Sequence, residues 1–221
     1  MEAMKIVLWN VYNGFRGGPE KGLHRGNTRE SLVADHLTDE NPDVVCLLEL
    51  QGFTDSRIAA LAKRWGHQHY ILITGQFPMA ITSRFPLGRP MWNAPDMAHG
   101  FISVEIDRVR IVLCHVPTSE YGDRPAELRS LLRHLLPILG KKTPLLLLGD
   151  LNGTFQDELP TAFRAVGLID PLANEVERTD YILHNSDLHH DISVRWDTDR
   201  SLLKLSDHFP LIAALTKPED Q

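Results

Sequence analysis

Apolar runs that end on polar side chains dominate the pattern of this chain. Four such runs are MKIVLWN, VVCLLE, VRIVLCH and PLLLLGDLN, and their polar ends are Asn10, Glu49, His115, Asp150 and Asn152. Short apolar runs of this kind are typical of strands buried on both faces. The pattern therefore predicts four strands that each deliver a polar group to one end.

Two further apolar runs have their polar residues at the opposite end. Asp180 precedes YIL, and Asp207 and His208 precede FPLIAAL. If these two strands run antiparallel to the first four, all the polar groups reach the same edge of a sheet. An Asp or Asn beside a strand is often only a turn former or a helix cap. Buried unpaired carboxylates are costly, however, so the repeated placement favours a metal site or a catalytic site.

Helical periodicity alternates with these strands. Asn27 begins a sequence that resembles a capping box, Thr54 can cap a second helix, and Pro125 suits the first turn of a third. A fourth apolar stretch also has helical spacing. Helices are therefore predicted over residues 27–40, 54–65, 125–139 and 156–166.

The remaining strand candidates decide the fold class. They cover residues 69–74, 79–83, 101–106 and 189–196, and 101–106 forms a hairpin-like pair with the run that ends at His115. Such pairs exclude a purely parallel, doubly wound sheet, and about ten strands exceed what one twisted sheet comfortably holds. We expect an α/β fold of the α+β type, in which two mixed sheets pack face to face with helices outside.

Composition and charge limit the functional classes. The chain has 221 residues, 43% of them hydrophobic, and shows no linker or repeat, so we expect one domain over residues 1–221. A net charge of −6 argues against binding to nucleic acid through the overall field of the protein. The glycine-rich segment 16–29 is locally basic and is predicted to bind substrate, although an ordinary solvated loop is an equally good explanation; its basic residues are Arg16, Lys21, Arg25 and Arg29.

The cysteines and the amino terminus provide no candidate catalytic residues. Cys46 and Cys114 lie within apolar runs and are expected to be small buried side chains. The amino terminus lacks the features of a secretory signal, and no run approaches the roughly 18–20 apolar residues that span a bilayer. We expect a cytoplasmic protein with no membrane contact and no obligate protein partner.

Seven motifs in order carry a family resemblance. The motifs are WNVYNG, LLELQ, AITSRFP, LCHVP, LLGDLN, TDYIL and SDHFPL. Together they resemble the endonuclease/exonuclease/phosphatase superfamily, which includes deoxyribonuclease I, apurinic endonucleases, sphingomyelinases, inositol polyphosphate phosphatases and deadenylases. The resemblance implies a deoxyribonuclease I-like four-layer sandwich that hydrolyses phosphate esters with Mg²⁺ or Mn²⁺.

The resemblance also implies a set of metal ligands. A hard divalent cation takes oxygen ligands and commonly only one or two carboxylates. Glu49 is the first choice, with support from Asn10 and from Asp207. Asn10 could instead hydrogen-bond the neighbouring loops.

The remaining motif residues are expected to perform the chemistry. Asp150 would orient and deprotonate the attacking water, and Asn152 would hold a phosphate oxygen by its amide. His208 would contact the phosphate or share the base role, while Asp180 fixes its tautomer. His115 would stabilise the phosphate or assist the leaving group, unless it is only a core histidine. Asp180 could likewise only cap a turn.

The leading hypothesis is a divalent-metal-dependent phosphodiesterase, most simply a nuclease that acts on DNA or RNA. A phosphomonoesterase or phospholipase-type hydrolase of the same superfamily is the alternative, and a non-catalytic binding module is a third. Substrate identity, endo versus exo cleavage, the number of metal ions and the oligomeric state do not follow from the sequence, because these properties depend on loop conformation and on surfaces.

Overall fold

The structure is a computed structural model that describes residues 3–92, 97–118, 120–153, 158–175 and 178–216. Within these ranges the strands are β1 Met4–Asn10, β2 Val44–Leu48, β3 His69–Ile73, β4 Met79–Ser83, β5 Met91–Trp92, β6 Phe101–Ile106, β7 Val109–His115, β8 Leu145–Asp150, β9 Leu168–Ile169, β10 Asp180–Asn185, β11 Asp191–Trp196 and β12 Leu211–Thr216. The α-helices are α1 Gly26–Glu40, α2 Asp55–Arg64, α3 Arg124–Leu139 and α4 Glu158–Ala165. Short 3₁₀ turns cover Asn13–Phe15, Pro19–Lys21 and Arg200–Lys204.

The strands form two mixed sheets of six. The first sheet has the order β11-β12-β1-β2-β4-β3, and the second has the order β5-β6-β7-β8-β10-β9. Each sheet contains one parallel pair, β1 with β2 and β7 with β8. The other pairs within the two sheets are antiparallel.

Alternation along the strands explains why the sheets stack. In β1, Ile6 and Leu8 belong to the core between the two sheets, whereas Val7 and Trp9 face the helices of the first sheet. Successive side chains of a strand point to opposite faces, so a run that is apolar at every position can bury both faces. The continuous apolar runs in the sequence follow from this double burial.

The helices cover the outer faces. Buried residues of α1 and α2, such as Leu37 and Ile58, pack on the first sheet, and Leu131 of α3 and Phe163 of α4 pack on the second. The result is the predicted four-layer sandwich of two mixed sheets flanked by helices, and the fold class is confirmed.

Most predicted elements are confirmed, and the differences lie at their ends. Thr54 caps α2 by accepting a hydrogen bond from the Arg57 amide, as predicted. Asn27 does not cap α1, because the helix already begins at Gly26 and the Asn27 side chain bonds the Thr28 amide instead. The predicted helix over 156–166 is observed as α4, and its first two positions lie outside the described residues. The two-residue edge strands β5 and β9 were not predicted, since they are too short to show a period.

Strand direction positions the functional groups. Because β1 and β2 are parallel, Asn10 and Glu49 come to the same edge of the first sheet. In the second sheet, Asp150 lies opposite His115 of parallel β7 and opposite Asp180 of antiparallel β10. The sequence predicted one shared edge of a single sheet; the structure instead divides the groups between two sheets, and the Asn10–Asp150 hydrogen bond joins the two sets.

Candidate active site

Asp150 lies at the centre of the site and is almost fully buried. Its Oδ1 accepts a hydrogen bond from the Asn152 amide at 2.9 Å, and its Oδ2 accepts one from Asn10 Nδ2 at 3.2 Å. The same Oδ2 lies 3.8 Å from His208 Nε2 and 3.7 Å from His115 Nε2. Asp150 is thus the point at which the other predicted residues meet.

His208 is held by Asp180. Its Nδ1 lies 2.6 Å from Asp180 Oδ2, so Nδ1 carries the proton of this bond and Nε2 points towards Asp150. The backbone of His208 is also fixed, because its carbonyl accepts a bond from Trp9 Nε1 and its amide donates to Ser206 Oγ. The predicted pairing of Asp180 with His208 is therefore present in the geometry.

Asn10 connects the two sheets. Its Nδ2 donates to Glu49 Oε1 at 2.9 Å and to Asp150 Oδ2, and its Oδ1 accepts the Tyr12 amide at 3.1 Å. Both amide hydrogens therefore face carboxylates, and only Oδ1 could reach a cation. Asn10 acts here as a bridge between Glu49 and Asp150, which differs from its predicted place among the metal ligands.

Glu49 lies in a strained turn at the end of β2. Its φ is +60°, a left-handed conformation that is uncommon for a residue with a side chain, and such strain concentrates at functional sites. Its Oε2 accepts the Asn13 amide at 2.9 Å, and its carbonyl accepts the Gly14 amide. Gly14 is required there, because a Cβ on it would lie 2.1 Å from the Gln51 carbonyl oxygen. The turn after β1 and the turn after β2 thus hold each other in place.

Asn152 and His115 form the third part of the site. Asn152 also has a left-handed φ of +47°, and its Nδ2 donates to the Val116 carbonyl at 2.7 Å and faces His115 Nε2 at 3.2 Å. His115 Nε2 is therefore the acceptor in this contact. Both Asn152 amide hydrogens are engaged within the protein, so gripping a phosphate through that amide, as predicted, requires one of these bonds to open.

The charges of the site follow from burial and from Asp180. Burial, and then the nearby Asp180, raise the pKa of Asp150 to about 7. Burial alone would lower the pKa of His208, but Asp180, Asp150 and Asp207 outweigh it and raise that pKa to about 10. Burial lowers the pKa of His115 to about 4, so His115 is neutral at pH 7. The site therefore holds one cationic and one neutral imidazole beside a carboxylate that titrates near neutrality.

The donor atoms suit a hard divalent cation. Ligand atoms of Asp150, Asp180 and His208 all lie within 4.8 Å of one another, and because His208 is protonated, only the two carboxylates of this group are available to a cation. Asp180 Oδ1 is buried and has no hydrogen-bond partner among the described residues, which leaves a free oxygen donor inside the site. Glu49 adds a third carboxylate through its link to Asn10 and Asp150. This oxygen-rich set is what Mg²⁺ or Mn²⁺ prefers.

Asp207 does not join this cluster. Its side chain is 38% exposed and pairs with Lys21 Nζ at 3.4 Å. The adjacent His208 faces the site instead, where its Nδ1 bonds Asp180. The prediction that Asp207 is a metal ligand therefore receives no support from its contacts.

The basic segment 16–29 divides into two kinds of residue. Arg16, Lys21 and Arg25 are exposed; the Arg16 guanidinium lies over Gly52, and Lys21 Nζ lies 4.4 Å from the centre of the Tyr12 ring. Arg29 is fully buried and donates to the carbonyls of Leu205, Val11 and Tyr12. The prediction that Arg29 contacts substrate is corrected, because the side chain is fully buried and its Nε and Nη2 hold the backbone of neighbouring segments.

Three aromatic residues near His115 were missed in the sequence. The His99 ring stacks against Phe77 at 3.7 Å and lies 5.1 Å from the His115 ring, and Tyr121 lies 6.0 Å from Phe77. His99 is 5% exposed, and burial together with His115 lowers its pKa to about 4. None of the three ends an apolar run, so the signal that revealed the other residues was absent.

A search of the described helices finds none with the length and apolar character needed to cross a membrane.

A family model matches most of this chain. The model is described as the Endonuclease/Exonuclease/phosphatase family, and it matches residues 7–208. No match is found among curated proteins.

Solved structures share the fold. An AP endonuclease from Archaeoglobus fulgidus is 19% identical with a TM-score of 0.74, over 96% of this chain and 99% of that one. A 3′-5′ exonuclease from Neisseria meningitidis is 20% identical with a TM-score of 0.75, over 96% and 100% of the two chains. The human Nocturnin catalytic domain with bound sulfate is 19% identical with a TM-score of 0.76, over 97% and 93%.

Proposed function

The chain belongs to the endonuclease/exonuclease/phosphatase family, and from this premise we propose that it is a divalent-metal-dependent phosphodiesterase that cleaves DNA or RNA. One observation carries the proposal: the buried Asp150 carboxylate lies within reach of Asn10, Asn152, His115 and His208 at one edge of the sandwich. Burying a carboxylate costs free energy, and these contacts indicate no structural role that would compensate for that cost.

Asp150 is the proposed general base. Its pKa of about 7 places it near the working pH, where a base is both available and strong enough to accept a proton from water. The Asn10 and Asn152 bonds fix both of its oxygens, so the proton acceptor has a defined direction. The base role therefore falls to Asp150 rather than to His208.

His208 is the proposed cationic contact to the phosphate. Its pKa of about 10 keeps it protonated at pH 7, and Asp180 holds Nδ1 so that the Nε2 hydrogen faces the site. A fixed positive donor at this point stabilises charge that develops on phosphate oxygens in the transition state. His115, being neutral, is proposed to orient Asn152 and the leaving group.

Glu49 is the proposed first ligand of Mg²⁺ or Mn²⁺. Asn10 and the Asn13 amide hold its two oxygens towards the site, and the free Asp180 Oδ1 offers a further donor. When bound, such an ion polarises the scissile phosphate and offsets its negative charge. Asn10 is proposed to position Glu49 rather than to replace it.

Nucleic acid is proposed as the substrate on two grounds. Arg16 lies over Gly52 and Lys21 pairs with Asp207, so two exposed basic residues lie beside the site, with the exposed Arg25 in the same segment of the chain, which suits a phosphate backbone. Two of the similar structures are described as an AP endonuclease and a 3′-5′ exonuclease. A cytoplasmic location stays a prediction of the sequence alone.

Asp150→Asn tests the proposal with a matched control. Purified wild-type protein is incubated with single-stranded DNA, duplex DNA, RNA and a phosphomonoester, each with Mg²⁺, Mn²⁺ or EDTA. We expect metal-dependent diester cleavage that falls by about 10³-fold or more in Asp150→Asn, because the amide cannot accept the proton. Asp107→Asn makes the same change in the exposed turn at the far end of β7 and should cleave like the wild type.

Three results separate the alternatives. Cleavage of no diester under any metal would refute the proposal. Release of inorganic phosphate from the monoester, with diesters untouched, would select the phosphomonoesterase alternative. Binding of nucleic acid without turnover would select the binding module.

A further inference from the structure

The site has an aromatic flank that the chemistry described above does not use. Phe77, from the loop between β3 and β4, packs against His99 with ring centres 3.7 Å apart and ring planes tilted by 33°, and its ring meets the rings of His115 and Tyr121 at steep angles of 84° and 68°. We call Phe77, His99 and Tyr121 the aromatic corner. The corner lies beside His115, and His115 contacts both Asn152 and Asp150.

We propose that the aromatic corner binds an unpaired nucleobase next to the scissile phosphate, so that the preferred substrate is single-stranded nucleic acid. This inference rests on the proposed function and specifies its substrate class. Phe77 and Tyr121 present two rings set at 68°, one to stack on a base and the other to contact its edge. Every base has a π face, so the contact would accept any sequence.

Exposure supports a surface built for a ligand. Tyr121 is 58% exposed although it is a large aromatic residue, and Phe77 is half-buried. His99 is buried against Phe77 and is neutral at pH 7, since its pKa is about 4, so the buried side of the corner carries an uncharged ring. Exposed aromatic side chains beside a polar site are a common sign of binding.

A short chain of contacts links the aromatic corner to Asp150. His115 Nε2 lies 3.7 Å from Asp150 Oδ2, and the His115 ring lies 5.1 Å from Phe77, which lies 6.0 Å from Tyr121. Two ring contacts therefore separate the exposed Tyr121 from the reacting centre. A base attached to the sugar beside the scissile phosphate would reach this corner without a large rearrangement.

Basic residues lie near other parts of the site. Lys21 pairs with Asp207, which precedes His208, and the Arg16 guanidinium lies over Gly52 in the turn that follows Glu49. The aromatic corner lies beside the His115 side. A positively charged track combined with stacking rings is the arrangement by which proteins bind single strands without sequence preference.

A paired base could not use this corner without leaving its duplex. Stacking on a protein ring requires the base to be unstacked from its neighbours and unpaired, which costs free energy in a duplex and little in a single strand. We therefore expect the wild type to cleave a single strand faster than the same sequence in a duplex.

The test uses dinucleotides with one scissile phosphate. One substrate carries both bases, and two others replace the base on one side or the other with a tetrahydrofuran abasic group. We expect kcat/KM to fall about tenfold or more when one particular base is removed, which is the size expected for a lost stacking contact. Tyr121→Ala should reduce the ratio of kcat/KM for the complete substrate to that for the abasic one, whereas Tyr121→Phe should keep it.

Binding without turnover provides a second readout. In EDTA, a single strand that contains 2-aminopurine should lose fluorescence on binding to the wild type, because stacking quenches the base, and Tyr121→Ala and Phe77→Leu should weaken this quenching. Leu136→Ala removes an exposed side chain from α3 and serves as the surface control. Its quenching should match the wild type.

The outcomes distinguish this inference from the proposed function. If the wild type cleaves diesters but complete and abasic substrates react equally, the corner does not bind a base, although the phosphodiesterase proposal stands. Equal quenching by the wild type and by both aromatic variants would also overturn the inference. If no diester is cleaved at all, the proposed function itself fails.

Discussion

At the scale of single residues, the Asp180 carboxylate shifts the pKa values of two neighbouring groups, the Asp150 carboxylate and the His208 imidazole. Asp180 helps to raise the pKa of Asp150 to about 7 and, through the 2.6 Å contact, that of His208 to about 10. The base is thereby kept near its working range while the imidazole stays cationic. Pairs whose environments push their pKa values to suit different tasks mark acid and base assignments in many enzymes.

Arg29 provides a residue-scale prediction that separates structure from substrate contact. Its buried guanidinium bonds three backbone carbonyls, so Arg29→Met removes these three hydrogen bonds, and among the described residues only the Tyr12 carbonyl keeps a second donor, the Phe15 amide. We expect the free energy of unfolding, measured with urea, to fall by about 2–4 kcal/mol. Arg25→Met, four residues earlier on the exposed surface, should change it by less than about 0.5 kcal/mol.

Nucleic acid binding by the same two variants distinguishes a structural role of Arg29 from a contact with substrate. If Arg29 contacted substrate as the sequence suggested, Arg29→Met would weaken nucleic acid binding while leaving the unfolding free energy unchanged. That result would contradict the structural role that its burial indicates.

The sequence identified the polar strand ends because each lies at one end of a run that must be buried. Asn10, Glu49, Asp150 and Asp180 were found in this way; strand direction brings them together within each sheet, and the packing of the two sheets joins the two sets. Arg29 was misassigned because its burial depends on carbonyls up to 176 residues away. His99 was missed because it lies between elements and reaches His115 only through the pairing of β6 with β7.

At the scale of elements, close contact between β7 and β8 positions His115 against Asp150. Gly149 lies opposite Cys114 in this parallel pair, and a Cβ on Gly149 would lie 1.9 Å from the Cys114 carbonyl oxygen. No side chain fits between the two backbones at this point. The glycine in the GDLN motif therefore permits the approach that the site needs.

Gly149→Ala tests this element-scale requirement. The added methyl group must push β7 and β8 apart or twist β8, so we expect a loss of about 1–3 kcal/mol in the free energy of unfolding. Activity should fall further than stability predicts, because His115 and Asp150 would shift relative to each other. Gly75→Ala is the control, since a Cβ there meets nothing within 4 Å. Equal stability of the two variants would show that the strands tolerate the insertion.

Element boundaries show where sequence patterns lose information. Strands buried on both faces were predicted almost to the residue, because their apolar runs have sharp ends. The start of α1 was misplaced by relying on Asn27, whose side chain bonds its own neighbour rather than the helix terminus. The choice between a cap and a local turn depends on backbone angles that the sequence does not determine.

At the scale of the whole molecule, the site is the junction of two separately hydrogen-bonded sheets. Asn10 belongs to the first sheet and Asp150 to the second, and their hydrogen bond crosses the interface. The apolar core between the sheets holds this junction, so movement of one sheet against the other would change the catalytic distances. Stability and activity are therefore expected to be linked.

Buried histidines predict how that stability depends on pH. Burial lowers the pKa of His99 and of His115 to about 4, and it also lowers those of His67 and His134. Between the unfolded value of about 6.5 and the folded values, the unfolded chain binds more protons, so stability falls as pH decreases through this window. Asp150 has the opposite effect on stability in this pH range, because its pKa is raised in the folded protein.

Above neutrality the sign reverses. The folded pKa of His208 is about 10, so the stability that it contributes is complete below about 6.5 and is lost as pH rises towards 10. Asp150 acts in the same direction as pH rises towards 7. We therefore expect maximum stability in EDTA near neutral pH, measured by urea unfolding between pH 4.5 and about 10.

His99→Phe isolates one contribution to the acid side. Phenylalanine keeps a ring against Phe77 but cannot bind a proton, so the slope of stability between pH 4.5 and 6 should decrease by about 1.4 kcal/mol per pH unit. The slope above pH 8 should match the wild type, because His208 is unchanged. An unchanged slope of stability between pH 4.5 and 6 would mean that His99 is already accessible to protons in the folded protein. The claim that His99 in the aromatic corner is neutral would then have to be abandoned.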